Sequence, residues 1–249
     1  MIYGLYHSAA GMMTNEYRQA VLANNLANTD TVGFKRDIAV FAERLPAAQA
    51  GVRDGPSAPE MEGLSGGLWL GRTSTDFSVG DKIRTDNPLD VVLETPGFLT
   101  VSAGGQRLYT RDGRMIVDPD GRLVAVTDGA PILGRGGAPI QVNPRGGQPT
   151  IDQDGRIRQD GQVVGELEIV NFPSDTPLLK AGSSRFVAPD GAAAPVAALV
   201  QSGHVESSGV KPLTELVSMI EASRAYQMNA QMISLQDQTV GRLISVITR

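Results

Sequence analysis

PLTELVSMIEASRAYQMNAQMISLQDQTVGRLISVITR, residues 212–249, decides the reading of this chain. A heptad walk through it meets Leu216, Met219, Ser223, Tyr226, Ala230, Ile233, Asp237, Val240, Ile244 and Ile247. Eight of these ten positions are apolar, so the stripe runs almost unbroken over four heptads. That is the pattern of a helix packed along its length against other helices. Pro212 suits the first turn, where a backbone N–H has no intrahelical partner anyway. Gly241 is a weak point inside the run.

The other end of the chain matches it in kind. Tyr3, Tyr6, Ala10, Met13, Tyr17 and Ala20 alternate steps of three and four, which places them on one face of a helix expected over 3–28. Gly11 within it should cost about 1 kcal/mol relative to Ala. The segment Asn24-Asn25-Leu26-Ala27-Asn28-Thr29-Asp30 ends the helix, because Asn and Asp side chains compete for backbone groups. Gly33 and Phe34 follow, with Phe34 the expected anchor of the chain as it leaves the helix. An ordinary amphipathic helix covering its own core gives the same spacing. Two such helices bracketing an insert imply that the ends meet in space. Their stripes then need partners, either each other or other subunits.

Between them the character changes. Residues 46–67 are rich in Pro, Gly, Ala and Ser and read as a long extended or mobile loop. From Leu68 the period becomes two. Asp90–Glu94 and Phe98–Val101 flank Thr95-Pro96-Gly97, and Leu108–Thr110 and Met115–Val117 flank Arg111-Asp112-Gly113-Arg114. Val117 and Leu123 flank Asp118-Pro119-Asp120-Gly121. Each reads as a hairpin, since Gly supplies the positive φ that tight turns need. Val163-Val164 and Leu167–Phe172 add later strands. Short strands at this spacing argue an all-β sandwich or barrel-like unit.

The composition removes most chemistry. The chain has 249 residues, a formal net charge of −5 and no cysteine. An acidic balance argues against a protein that tracks nucleic-acid phosphates. Only Lys35-Arg36 stands out as basic, and two residues are not a patch. Without cysteine there is no disulfide framework, thiolate zinc site or cysteine nucleophile. The two histidines, His7 and His204, stand in no HExxH motif. Asp118–Gly121 and Asp152–Gly155 bring Gly at the fourth position of the loop, whereas a calcium loop needs it at the sixth. Gly134–Gly137 and Arg145–Gly147 lack the strand–loop–helix setting of a phosphate loop, and no Gly-x-Ser-x-Gly elbow occurs. Residues 1–20 carry no apolar core of a secretory signal, and no run reaches the ~18 apolar residues of a membrane helix. No enzyme activity, cofactor, metal, nucleic acid or membrane insertion is expected.

LANNLANTDTVGFKRD, Leu22 to Asp37, resembles the signature of bacterial flagellar basal-body rod proteins, the axial family that includes the hook protein. The matching residues are Ala23, Asn24, Asn25, Leu26, Ala27, Asn28, Thr29, Gly33, Phe34 and Lys35. NPLDVVLETPGFLTV, Asn87 to Val101, is similar to a second family segment, with Pro96 and Leu99 as departures. YTRDGRMIVDPDGRLV, Tyr109 to Val124, resembles the family hairpin. Glu206 to Gln231 is similar to the C-terminal axial helix, but Gly209 replaces the Asn usual before it, so an Asn cap is not assumed. Length favours a rod protein over the longer hook protein. Val210-Lys211-Pro212 and Asp237–Arg242 are more similar to proximal-rod than to distal-rod members.

The resemblance implies an α+β chain whose terminal helices pair into a coiled-coil-like axial layer, with a central all-β domain. The expected layout is an axial helix at 1–30, an extended linker or hairpin region at 31–70, a β-rich outer domain at 71–204 and a second axial helix at 205–249. The assembly residues implied are Tyr6, Met13, Tyr17, Asn24, Asn25, Leu26 and Asn28 with Leu216, Met219, Tyr226, Ile233, Val240 and Ile244. Gly33 and Phe34 form the domain junction. Implied partners are further copies of the chain, other proximal and distal rod proteins and the flagellar type III export apparatus. The implied place is the periplasmic rod of the basal body, and the implied role is mechanical. The competing reading is a soluble β-rich enzyme or ligand-binding protein whose helices cap a barrel. It expects a concave site with converging polar groups. A trimeric coiled-coil adhesin would need longer and less interrupted heptads.

Overall fold

The computed structural model describes residues 2–43, 68–174, 176–182, 184–197 and 199–247. The expected loop at 46–67 lies outside the described residues. Two compact units emerge. One comprises residues 1–27, 36–76 and 210–249, the other residues 28–35 and 77–209, so the chain passes between them four times. The expected boundaries were 30/31, 70/71 and 204/205.

The first unit is built on helices α1 (Ile2–Ala27) and α2 (Pro212–Ile247). They run antiparallel. Gly4 meets Gln236, Gly11 meets Asn229 and Asn25 bonds to Glu215, so each heptad up α1 is a heptad down α2. Ala222 is fully buried in this seam. Four short strands, β1 (Asp37–Ile38), β2 (Phe41–Glu43), β3 (Leu68–Leu70) and β4 (Ser74–Thr75), pair as β1 with β4 and β2 with β3. Phe41 meets Tyr17 edge-on at 6.5 Å and ties this strand region to α1. No described helix is long and apolar enough to cross a membrane.

The second unit is all-β and carries its own core. Its strands are β5 (Lys82–Arg84), β6 (Val91–Leu93), β7 (Phe98–Ala103), β8 (Gln106–Thr110), β9 (Met115–Val117), β10 (Leu123–Ala125), β11 (Thr150–Ile151) and β12 (Arg156–Gln159). They continue as β13 (Gln162–Glu166), β14 (Ile169–Asn171), β15 (Leu179–Lys180), β16 (Arg185–Val187), β17 (Ala194–Pro195), β18 (Val200–Ser202) and β19 (His204–Glu206). The main sheet has six strands in the order β15-β16-β8-β7-β14-β17, beside the three-stranded β11-β12-β13 and several two-stranded ladders. These are open sheets, not one closed barrel. Leu99, Val101, Met115, Leu123, Ile132 and Ile157 form the centre of the larger cluster, all essentially inaccessible. Each contributes about 1.5–3 kcal/mol of burial free energy. A second cluster stacks Phe98, Tyr109, Phe172 and Phe186. Its rings meet at 4.8 Å for Tyr109–Phe172 and 5.6 Å for Phe98–Phe186, both edge-to-face, as the ring quadrupole favours.

Of the three expected hairpins one forms. β9 and β10 pair around Asp118–Gly121, where Gly121 has φ 78° and Asp118 N–H donates to the Arg122 carbonyl. The other two are corrected. β8 pairs with β7 and β16, not with β9, and β6 pairs with β18, not with β7. At Asp112-Gly113 the reason is close approach: a Cβ on Gly113 would sit 1.8 Å from the Val91 carbonyl oxygen. Glycine serves there to let two backbones touch, not to reverse the chain.

Candidate assembly surface

Asn25 is the buried member of the Asn box. Its Nδ2 donates to the Asp37 carbonyl at 2.8 Å while its Oδ1 accepts from the Asp37 N–H at 2.9 Å. The side-chain amide thus replaces a strand partner, holding the returning chain against the end of α1. A carboxamide offers the donor and the acceptor on two separate atoms, as this pair of bonds requires. The same Nδ2 reaches Glu215 Oε2 at 3.3 Å. Glu215 lies in the first turn of α2, where a carboxylate complements the helix dipole, and pairs at 3.5 Å with Arg36, which also holds Asp76 at 2.9 Å. Asn24 is exposed and Leu26 half-buried. Asn28 begins the turn after the helix, and its carbonyl accepts from Ser208 Oγ at 2.8 Å.

In the β unit, Gly33, Phe34 and Lys35 are all buried, each for its own reason. Gly33 has φ 66°, and a Cβ there would lie 2.5 Å from the backbone at Arg111 and Asp112. Phe34 carries the Lys180 ammonium 4.2 Å from its ring centre, a cation–π contact. Lys35, 1% exposed, donates to Glu206 Oε1 at 2.5 Å and to the Ser78 carbonyl at 2.6 Å. Glu206, equally buried, also accepts from Gly80 N–H at 2.9 Å and from Arg111 Nη1 at 3.3 Å. Burial pushes the Arg111 guanidinium below its ordinary value, and the Glu206 carboxylate opposes that shift. The Arg111 guanidinium also lies 5.5 Å from the Phe98 ring centre. Main-chain bonds complete this cluster: Gly33 N–H donates to the Glu206 carbonyl and Gly209 N–H to the Phe34 carbonyl. A Cβ on Gly209 would touch that same carbonyl oxygen at 3.4 Å.

The helix pair has a different surface. On α1, Tyr6 is 71% and Met13 70% exposed, while Tyr17 is half-buried against Phe41. The apolar stripe read from the sequence therefore faces away from α2. The seam runs instead through Gly4, Gly11 and Asn25. On α2, Met219, Tyr226 and Ile233 are half-buried, whereas Leu216, Val240 and Ile244 are exposed. A second apolar row escaped the heptad walk entirely: Leu213, Val217, Ile220, Met228, Leu235 and Leu243 are all exposed. Its spacing of 4, 3, 8, 7 and 8 is less regular than that of the first row.

Sequence reasoning also missed Glu206, Arg111 and Glu215 as buried charges. Their only advance signal was the Lys35-Arg36 pair, whose members serve separate ion networks. A cleft of about 450 Å³ in the β unit is lined by Arg135, Asp154, Arg156, Glu166 and Glu168. Arg135 and Glu166 pair with each other and Glu168 with Arg107. Among the described residues no group of three metal-capable side chains converges.

Three family models match the chain: Flagella basal body rod protein over residues 5–35, Flagellar hook protein FlgE/F/G D1 domain over 92–159, and Flagellar basal body rod FlgEFG protein C-terminal over 201–246. The first and last cover the Asn box and α2. The flagellar basal-body rod protein FlgG of Buchnera aphidicola is 32% identical over 98% of this chain and 99% of its own length. FlgF of Caulobacter vibrioides is 34% identical over 92% and 91%, and FlgG of the same organism 30% identical over 93% and 94%. Identities to FlgF and FlgG overlap, so they do not separate proximal-rod from distal-rod likeness.

Proposed function

The chain belongs to the flagellar basal-body rod protein family, and from that premise we propose that its copies stack helically into a periplasm-spanning drive shaft. This is a structural protein of the basal-body rod, not an enzyme. The shaft transmits torque, and its bore carries later export substrates. Partners are further copies and the adjoining proximal and distal rod proteins. The flagellar type III apparatus delivers the chain before it folds. Absence of cysteine suits delivery into an oxidising compartment.

One observation carries this reading. α2 holds an exposed apolar row from Leu213 to Leu243 that no other described part of the chain covers. So many large apolar side chains left exposed along one helix mark an interaction surface. The test is electron cryomicroscopy of purified basal bodies carrying a tagged chain, with sedimentation of the free subunit. Density for the chain inside the rod is expected, as is concentration-dependent growth of the free subunit. A chain absent from basal bodies and monomeric at every concentration overturns it.

A further inference from the structure

We propose that the β unit carries a pocket for a carboxylate on a small apolar body, with Arg111 as its cationic group. The pocket, about 150 Å³, lies where β7 begins and β14 ends. Phe77, Phe98, Phe172 and Leu178 give it apolar walls, and Arg111 and Asn171 add a guanidinium and a carboxamide. Arg111, Phe98 and Phe172 are buried, while Pro96, Pro173 and Ser174 are exposed at the mouth. Among the described residues the lining holds no carboxylate. The larger cleft at Arg135 differs, since three acids line it beside two arginines.

Arg111 has donors and charge to spare. A guanidinium carries five N–H groups and accepts nothing. Nη1 donates to Glu206 Oε2 at 3.3 Å and to the Leu93 carbonyl at 3.5 Å, and Nη2 to the Thr95 carbonyl at 3.2 Å. Nε–H has no partner, and neither has the Thr95 hydroxyl. Among the described residues the one carboxylate on Arg111 is Glu206, which Lys35 also holds at 2.5 Å. An arriving carboxylate offsets that deficit where little water competes, the setting in which a charge-assisted bond is strong. The walls select what carries the carboxylate. An engineered apolar cavity of about 150 Å³ holds benzene, so a space of this size takes one ring or one branched aliphatic group. The ligand class is therefore a monocarboxylate with a body the size of one side chain, either free or borne on a peptide. The pocket lies within the β unit and does not depend on rod assembly.

Phenylacetate is the probe, titrated into the isotope-labelled full chain and followed by amide chemical shifts. Millimolar binding is expected, with shifts confined to Phe98, Asn171, Phe172 and their neighbours. Phenylacetamide has the same shape without the charge and should bind about tenfold more weakly. Leu178→Trp fills the space, keeps Arg111 and Glu206, and should abolish the shifts while thermal unfolding stays near that of the parent. Arg111→Gln should make acid and amide bind alike. Should that variant not fold, Leu178→Trp and the acid–amide comparison on the parent chain still decide. A capped tripeptide with a glutamate between two leucines identifies the source. Tighter binding than phenylacetate assigns the pocket to an acidic segment of another protein, and weaker binding assigns it to a free acid. Equal affinity for acid and amide, shifts elsewhere in the chain, or unimpaired binding to Leu178→Trp each overturn the carboxylate pocket and leave the rod role intact. A chain missing from basal bodies would overturn the rod role and leave the pocket standing.

Discussion

The β unit closes on itself, whereas the helix pair does not. Leu99, Val101, Met115, Leu123, Ile132 and Ile157 are sealed within one subunit. Among the described residues of the unit that holds the helix pair, only Val21, Val210 and Ala222 are buried apolar residues, while Leu213, Met228 and Val246 remain mostly exposed. The lesson is one of timing. The β unit gains its stability when the chain folds. In the proposed rod the helices would gain further stability when neighbours cover their exposed apolar side chains. Substitutions in the two regions should therefore register in different assays.

The largest effect is expected at Glu206. Removing it as Glu206→Ala takes away the anion that Lys35 and Arg111 both face in the interior. Breaking a buried charge group this way costs about 3–5 kcal/mol. Chemical denaturation with hydrogen exchange at the Leu99 and Val101 amides measures it. A loss below about 1 kcal/mol would show that the cluster is not desolvated.

Gly33→Ala comes next, at about 2–3 kcal/mol, because φ 66° and backbone atoms at 2.5 Å leave no place for a methyl group. The same exchange in the helix pair sharpens the contrast. At Gly4 the obstacle is only the tip of Gln236, at 2.9 Å, and alanine gains about 1 kcal/mol of helix propensity. Gly4→Ala should leave unfolding of the free subunit nearly unchanged. Equal losses at the two glycines would erase the distinction between the regions.

Smaller again is Asn25→Asp. The carboxylate keeps the bond from Asp37 N–H but cannot donate to the Asp37 carbonyl, and it places a second acid beside Glu215. About 1–2 kcal/mol of local stability should go, read as faster hydrogen exchange at Asp37 and near the end of α1. Unchanged exchange there would mean the amide clamp adds nothing.

What the sequence showed of all this follows from what periodicity can see. Both helices were legible, and Pro212 marked the start of α2, because spacing and proline chemistry are local. Which residues of α1 meet α2 was not legible. A search for apolar residues finds Tyr6 and Met13, yet the seam uses Gly4, Gly11 and Asn25, whose value lies in small size and amide geometry. Two hairpins failed for a related reason. Gly113 looks like a turn residue, and only the fold reveals that Val91 crosses it. The Lys35–Glu206–Arg111 cluster joins residues far apart in the chain, so no window of sequence contains it.

The smallest effect on the free subunit is expected from Val217→Lys, and it is the most discriminating. Val217 sits on the outer row of α2, half exposed, away from the seam. Lysine there keeps helix propensity and finds water, so subunit stability should move by no more than about 0.5 kcal/mol. In a stacked rod the same ammonium would enter an apolar contact at every copy, and unpaired burial of a charge costs several kcal/mol. Cells carrying Val217→Lys should make a normally folded subunit but incomplete rods and no motility. Melting of the purified subunit, rod counts by electron microscopy and swimming assays separate the two quantities. Normal motility would place this row in solvent even in the assembled state. A subunit that fails to fold would show that the row is buried within one copy, and the contrast between a finished β unit and an unfinished helix pair would collapse.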